Sequence, residues 1–210
     1  MEKNMEHWTK KRLAVELSHL KNFDKVDVQL EQYATPSEIA GDWIWQAALQ
    51  GDIEGKTIVD AACGPGILGC GALLMGAKKV IFVDLSKEAI EIARTNVATL
   101  EKEYEVGKSE FVCADIREFS EKCDVVIQNP PFGTKVKHVD KLFLEKAFTL
   151  APIVYSMHKM TTQAFVEAIA RDHKFIITYS AAYKFGLKQT LPWHKSRMKY
   201  IDVGLWRMET

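Results

Sequence analysis

From about Ile58 onward, short runs rich in Val and Ile alternate with amphipathic stretches, and this alternation constrains the fold more than any other feature of the chain. A strand buried on both faces reads as a near-continuous apolar run, and each return to a parallel neighbour needs a crossover, usually a helix. Strands are expected at Thr57–Ala62, Lys79–Asp84, Ser109–Ala114, Asp124–Gln128, Ile153–Ser156, Lys174–Ser180 and Tyr200–Arg207. Helices are expected at Ile67–Met75, Lys87–Lys102, Val139–Leu150 and Thr161–Arg171. The pattern predicts an α/β fold with a Rossmann-like, doubly wound, seven-stranded and mostly parallel sheet. Ahead of it, Leu13, Leu17 and Leu20 recur at helical spacing, and Pro36 opens a second helix carrying Ile39, Trp43 and Ala47. We read residues 1–210 as one domain, with 1–50 a helical extension and 56–210 the sheet-bearing core.

The first strand runs into Asp60-Ala61-Ala62-Cys63-Gly64-Pro65-Gly66-Ile67-Leu68-Gly69, so Gly64, Gly66 and Gly69 fit a G-x-G-x-x-G turn. That fit alone does not separate a dinucleotide enzyme from a methyltransferase, because Asp84 at the end of the second strand would hold ribose hydroxyls in either. Asp60 separates them. A pyrophosphate placed at the helix N-terminus would meet a like charge there, whereas the sulfonium and ammonium of S-adenosylmethionine would meet an opposite one. Asp115, after the third strand, is placed to accept from an adenine amine, with Ile116 packing on the ring. Carboxylates after three successive strands argue against isolated turn residues.

A fourth buried strand ends in Asn129-Pro130-Pro131-Phe132. Consecutive prolines stiffen the backbone and supply no N–H, so the Pro130 carbonyl and the Asn129 side-chain carbonyl are expected to stand together as two acceptors. A planar amine that donates both hydrogens to them would be held with its nitrogen aimed at a methyl donor. Phe132 offers a face on which a flipped base stacks.

Composition narrows the rest. With 28 Lys and Arg against 28 Asp and Glu the formal charge is zero, so any nucleic-acid contact must be local. The candidate patch is Lys184 to Lys199, with Tyr183, Phe185 and Trp193 interleaved as stacking groups. Cys63, Cys70, Cys113 and Cys123 are too few and scattered for a disulfide scaffold and are expected to be reduced. His7, His19, His138 and His194 lack metal-ligand spacing, so no metal is expected. No apolar run reaches the roughly 20 residues of a membrane span, and the opening residues lack a secretory apolar region, which leads us to expect a cytoplasmic protein.

With these residues in view, the chain resembles the class I amino-methyltransferases, and within them the methyltransferase-like protein 5 group, which methylates N6 of adenosine in small-subunit ribosomal RNA. The resemblance rests on Leu30-Glu31-Gln32-Tyr33-Ala34-Thr35, Asp60 to Gly66, Asp84, Asn129-Pro130-Pro131-Phe132-Gly133-Thr134 and Val154-Tyr155-Ser156-Met157-His158-Lys159. It implies S-adenosylmethionine as cofactor, with Gln32 and Thr35 closing over its methionine end, Gly64 and Gly66 lining it, Asp84 and Leu85 at the ribose, and Asp115 and Ile116 at the adenine. It implies that Asn129 to Phe132 hold the target base, Asn129 also facing the cofactor. The chain departs from the pattern at Ala62 and Pro65, the latter removing an N–H from the turn. The resemblance further implies a small zinc-binding activator protein as partner, adding a strand beside Phe111-Val112-Cys113. Alternatives that keep the reaction are guanine N2 in RNA, adenine N6 in DNA and a protein glutamine amide. A nicotinamide-dependent oxidoreductase and a catalytically silent RNA-binding factor are the readings from other classes.

Overall fold

Helix α1 (Lys10–Ser18) is opened by Thr9, whose side chain accepts from the Arg12 N–H, and it buries Leu13 and Leu17. Helix α2 (Ser37–Leu49) begins directly after Pro36 and buries Ile39, Trp43 and Ala47, as their helical spacing demands. The computed structural model describes residues 8–24, 33–132, 139–188 and 198–210, with the backbone alone at 187, 188, 198 and 199. After the two helices come β1 (Thr57–Ala61), α3 (Ile67–Leu74), β2 (Lys79–Asp84), α4 (Lys87–Leu100), β3 (Lys108–Cys113), β4 (Val125–Gln128), α5 (Val139–Leu150), β5 (Ile153–Lys159), α6 (Gln163–Asp172), β6 (Ile176–Lys188) and β7 (Met198–Glu209).

The strands form one seven-stranded sheet in the order β3-β2-β1-β4-β5-β7-β6. Strands β1 to β5 pair in parallel, and β7 enters antiparallel between β5 and β6. The order turns back between β1 and β4, which leaves a crevice at their carboxyl ends where ligands bind in sheets of this kind. Ile58, Phe82, Ile127 and Tyr155 face the core shared with α1 to α4. Val59, Val83, Val126 and Val154 face the second core, under α5 and α6.

Two expectations change. Strand β6 is far longer than Lys174–Ser180, and with β7 it makes an antiparallel arm that outreaches the carboxyl end of β5, since Lys159 pairs with Val203 and β7 starts at Met198. An antiparallel pair needs no crossover, so nothing caps its length at that of the parallel strands. Two of the patch's three aromatic residues are consumed by this arm. Phe185 is 1% exposed, and the Tyr183 hydroxyl donates to Asp42 at 2.6 Å. They are anchors, not stacking platforms, while Trp193 and His194 fall outside the described residues. The second change is at α6, which a short 3-10 turn (Met160–Thr162) precedes, so that the helix starts at Gln163 instead of Thr161.

One side chain ties the extension to the sheet. Asn96, on α4, is 1% exposed; its Oδ1 accepts from Lys21 N–H at 2.7 Å, and its Nδ2 donates to Lys21 O at 2.9 Å and Pro65 O at 2.8 Å. Asn96→Ala would leave those backbone groups without partners, and an expected loss of about 2–4 kcal/mol follows. Urea unfolding should show a lower midpoint at unchanged m-value. A shift worth less than about 0.5 kcal/mol would mean that the tie is dispensable.

Candidate active site

The carboxyl ends of β3, β2, β1 and β4 bring Asp115, Asp84, the glycine turn and Asn129 to one edge of the sheet. Gly66 closes the turn at a φ of +79°, the left-handed conformation that glycine adopts without strain, and Cys70 N–H bonds back to its carbonyl at 2.8 Å. Gly69 has a different reason: a Cβ there would stand 2.8 Å from Phe82 Cζ and 2.9 Å from Asp60 Oδ2, so α3 can approach the sheet this closely only without a side chain. At Ala62 the sequence departs from glycine although φ is +54°, and a residue with a Cβ carries strain of about 1 kcal/mol in that region.

Asp60 lies beneath this turn, 1% exposed, and its Oδ2 accepts from Gly69 N–H at 2.8 Å. Helix α3 has no side-chain cap of its own, so Asp60 serves as one from the sheet. Its Oδ1 is buried without a partner among the described residues. Burial, countered in part by the Gly69 N–H and reinforced by Asp84, pushes the Asp60 carboxyl well above the usual range. Asp84 spans the turn and the next helix, accepting from Gly64 N–H at 2.9 Å and Ser86 N–H at 2.8 Å. Burial raises its pKa as well, against the pull of those N–H groups. Neither carboxyl has a cationic partner among the described residues, and burial disfavours the charged form of both, so a positively charged ligand brought close would offset that cost. The residues present therefore fit S-adenosylmethionine. The side chain of Phe23 packs over Gly64, 3.7 Å from the position of a Cβ there.

Asp115 stands apart in its chemistry. Arg117 grips its carboxylate through Nε at 3.0 Å and Nη2 at 2.5 Å, and these bonds hold it below the usual range. Its acceptor capacity is thus shared with a guanidinium that the sequence reading did not include. Ile116 is buried in the second core, whereas Leu85 is 62% exposed beside Asp84.

At the exit of β4 the two successive side chains go to opposite faces. Gln128 is buried, its Nε2 donating to Ser156 Oγ at 2.9 Å, and that oxygen lies 2.7 Å from His158 Nε2. Desolvation drives His158 down to about 4, so it is neutral. Asn129 turns the other way, its Nδ2 donating to Thr35 Oγ1 at 3.0 Å, and its Oδ1 is buried with no partner among the described residues. Pro130 is buried, Pro131 and Phe132 are half-buried, and Phe132 meets Phe185 edge to face at 6.1 Å between centroids. Gln32, Gly133 and Thr134 lie outside the described residues. The sequence reading missed Asn96 and the Gln128–Ser156–His158 chain. Asn96 had left a sign, since it occupies an apolar stripe position with Ile92, Ala93, Val97 and Leu100.

A glycine turn over a buried carboxylate, at the switch point of a sheet whose seventh strand is antiparallel, defines a class I methyltransferase that uses S-adenosylmethionine. Comparison with known proteins agrees. Residues 44–153 match the methyltransferase small domain family. The rRNA N(6)-adenosine-methyltransferase Mettl5 of Drosophila melanogaster is 32% identical, covering 95% of this chain and 95% of its own. Its counterpart from Danio rerio is 32% identical over 91% of this chain and 94% of its own. The crystal structure of a candidate RNA methyltransferase from Pyrococcus horikoshii is 38% identical and superposes with a TM-score of 0.88 over 97% of this chain and 98% of that one. The chain belongs to the methyltransferase small domain family, in the branch that holds the Mettl5 proteins.

The buried acid gives a pH-dependent test. Because burial raises Asp60, the folded apoprotein binds that proton more tightly than the unfolded chain does. The resulting stability is fully present below the unfolded value, near pH 4, and is lost as pH rises through the folded value. Asp60→Asn keeps an acceptor for Gly69 N–H and removes the charge. It is expected to melt a few degrees above wild type at pH 8, with the gap closing toward pH 4, and to bind S-adenosylmethionine about ten-fold or more weakly by calorimetry. Unchanged affinity would reduce Asp60 to a helix cap.

Proposed function

We propose that this enzyme methylates the N6 amine of an adenosine in RNA, with small-subunit ribosomal RNA as the substrate. The observation that carries the reading is the buried Oδ1 of Asn129, without a partner among the described residues, on a proline-stiffened strand exit. An acceptor without a donor is costly inside a protein, and an incoming NH2 group offsets that cost while being oriented. The Mettl5 relatives, which share this architecture over nearly the whole chain, carry the adenosine assignment in their names.

S-adenosylmethionine supplies an electrophilic methyl group on a sulfonium. Gly64 and Gly66 would line its methionine end, Asp60 and Asp84 would favour its positive charge, and Asp84 and Leu85 would hold the ribose. Asp115 and Ile116 take the adenine. Gln32 and Thr35 belong to the segment that closes the methionine end. At the substrate, Asn129 Oδ1 and the Pro130 carbonyl accept the two amine hydrogens, Pro131 stiffens the exit, and Phe132 stacks on the flipped base with Phe185 bracing its edge. The chain needs no strong general base, because catalysis comes from alignment and from excluding water, and the methylated nitrogen sheds its extra proton to solvent as product leaves.

A zinc-binding activator protein that adds a strand at β3 is part of this reading. Strand β3 is an edge of the sheet, and Cys113 is exposed on it. Phe111 is less open than its sequence suggests, since it stacks on Phe82 at 5.0 Å and carries the Arg94 guanidinium at 4.5 Å. The backbone edge, not an apolar side-chain patch, is then what the partner would pair with. Among the described residues no helix is long and apolar enough to cross a membrane. A ribosomal substrate supports the cytoplasmic location expected from the sequence.

Nucleoside mass spectrometry after incubation of ribosomal RNA with isotope-labelled cofactor should show N6-methyladenosine. N2-methylguanosine, or label in DNA or protein alone, would refute the substrate assignment. Asn129→Ala is expected to lower turnover by about 100-fold or more with cofactor affinity within about two-fold. Parallel loss of both would make Asn129 a structural residue. If the isolated chain proves monodisperse, stable and fully active, the activator is not needed.

A further inference from the structure

We propose that the outer face of the arm formed by β6 and β7, around Tyr200 and Lys184, binds the unpaired RNA that flanks the target nucleotide. The proposal rests on the RNA reading above and extends it, since that reading places the target base and leaves the rest of the strand unheld.

A flipped nucleotide remains part of a chain, and its neighbours must cross the rim of the site. On the β5 side of the sheet that rim is the arm, which extends past the carboxyl end of β5: Lys159 pairs with Val203, while β7 has already begun at Met198. The inner face of the arm is joined to the target site, because Phe185 meets Phe132 there. Successive residues of a strand alternate between faces. The next pair outward from Phe185 and Ile201 is Gly186 and Tyr200, and it therefore belongs to the outer face, as do Lys184 and its cross-strand partner Asp202. That face is open. Tyr200 is 64% exposed, and Ala182, Lys184 and Asp202 are exposed with it. Gly186, across from Tyr200, has no side chain to cover the ring.

The fold gives this ring no task. Tyr183 and Phe185, its neighbours in the arm, are committed to Asp42 and to the core, whereas the Tyr200 ring stands mostly in water. An open aromatic face stacks on any base, and it needs a base whose own face is free, which a duplex does not offer. Charge points to the same partner. Residues 183–200 contain five Lys and Arg and no Asp or Glu, in a chain whose formal charge is zero, so a polyanion is drawn to this part of the molecule. Asp202 lies across from Lys184 and offsets part of its charge, so the ring supplies more of the affinity than this one lysine does. Stacking and phosphate contacts read no sequence, and the arm therefore grips the strand while the choice of nucleotide stays with the target site.

Tyr200→Leu removes the ring and Tyr200→Phe keeps it, and at so exposed a position neither should change the melting temperature by more than about 2 °C. Fluorescence anisotropy would follow binding of a labelled, unstructured RNA oligonucleotide and of the same strand paired with its complement. The unpaired strand should bind wild type more tightly than the duplex does, about five-fold or more weakly in Tyr200→Leu, and within about two-fold of wild type in Tyr200→Phe. Lys184→Gln should flatten the slope of log K against log salt by about 0.7. In steady-state methylation the KM for RNA should rise in step with Kd in Tyr200→Leu, with kcat at saturating RNA within about two-fold of wild type. Equal affinity of Tyr200→Leu and wild type overturns the proposal, as does a loss in Tyr200→Phe equal to that in Tyr200→Leu, or a duplex bound as tightly as the unpaired strand. An unchanged salt slope removes Lys184 from the surface. If binding behaves as expected but no adenosine in RNA is methylated, the substrate reading fails and the surface stands. If adenosine is methylated and every variant binds RNA like wild type, the surface fails and the substrate reading stands.

Discussion

The contact between α3 and the sheet at Gly69 is the constraint from which the site follows. Because Gly69 has no side chain, its backbone reaches Phe82 and the carboxyl of Asp60, and the N–H at the start of α3 finds its cap on β1, not on α3 itself. That closeness forces the connection from β1 into a tight turn, with Ala62, Gly64 and Gly66 all at positive φ. Asp84 reaches over from β2 to hold Gly64 N–H, and Asn96 holds the Pro65 carbonyl from α4. Each of these bonds is worth about 1 kcal/mol taken alone, but they act on one short loop, so losing one loosens the register of the others.

The N-terminal extension is built into the same loop. Asn96 spends three of its hydrogen-bonding positions joining Lys21 to Pro65, and Phe23 then lies over Gly64. Further along the extension, just ahead of α2, Thr35 meets Asn129. The extension thus reaches the glycine turn through Lys21 and Phe23, and Asn129 through Thr35.

The order of strands and helices was legible because burial on two faces imposes continuous apolar runs, and Thr57–Ala61, Lys79–Asp84 and Val125–Gln128 lie within a residue of their expected limits. The long β6–β7 arm was not, since Tyr183, Phe185 and their basic neighbours carry the same composition whether they anchor a hairpin or line a binding face. What separates the two cases is tertiary: an acceptor on α2, Asp42, and a partner ring, Phe132. Asp115 is a similar case. Its position after β3 was readable, but that Arg117 two residues on would fold back and grip it depends on a local turn that sequence does not specify.

The three carboxylates after β1, β2 and β3 are not equivalent, and their differences suggest how the cofactor is oriented. Asp60 and Asp84 are raised by burial and have no cationic neighbour among the described residues, so they gain most from a positive charge brought close. Asp115 is already neutralised by Arg117 and has little to gain from a cation. A ligand with its charge at one end and a neutral amine at the other is then drawn with the charged end to β1 and the neutral end to β3, since the reverse would leave two buried acids without compensation. The gradient runs along the sheet edge toward Asn129 on one side only, because β4 neighbours β1 and not β2. On the proposed reading, the cationic, methyl-bearing end of the cofactor would therefore lie toward the strand whose exit carries Asn129, with burial setting that preference before any substrate arrives.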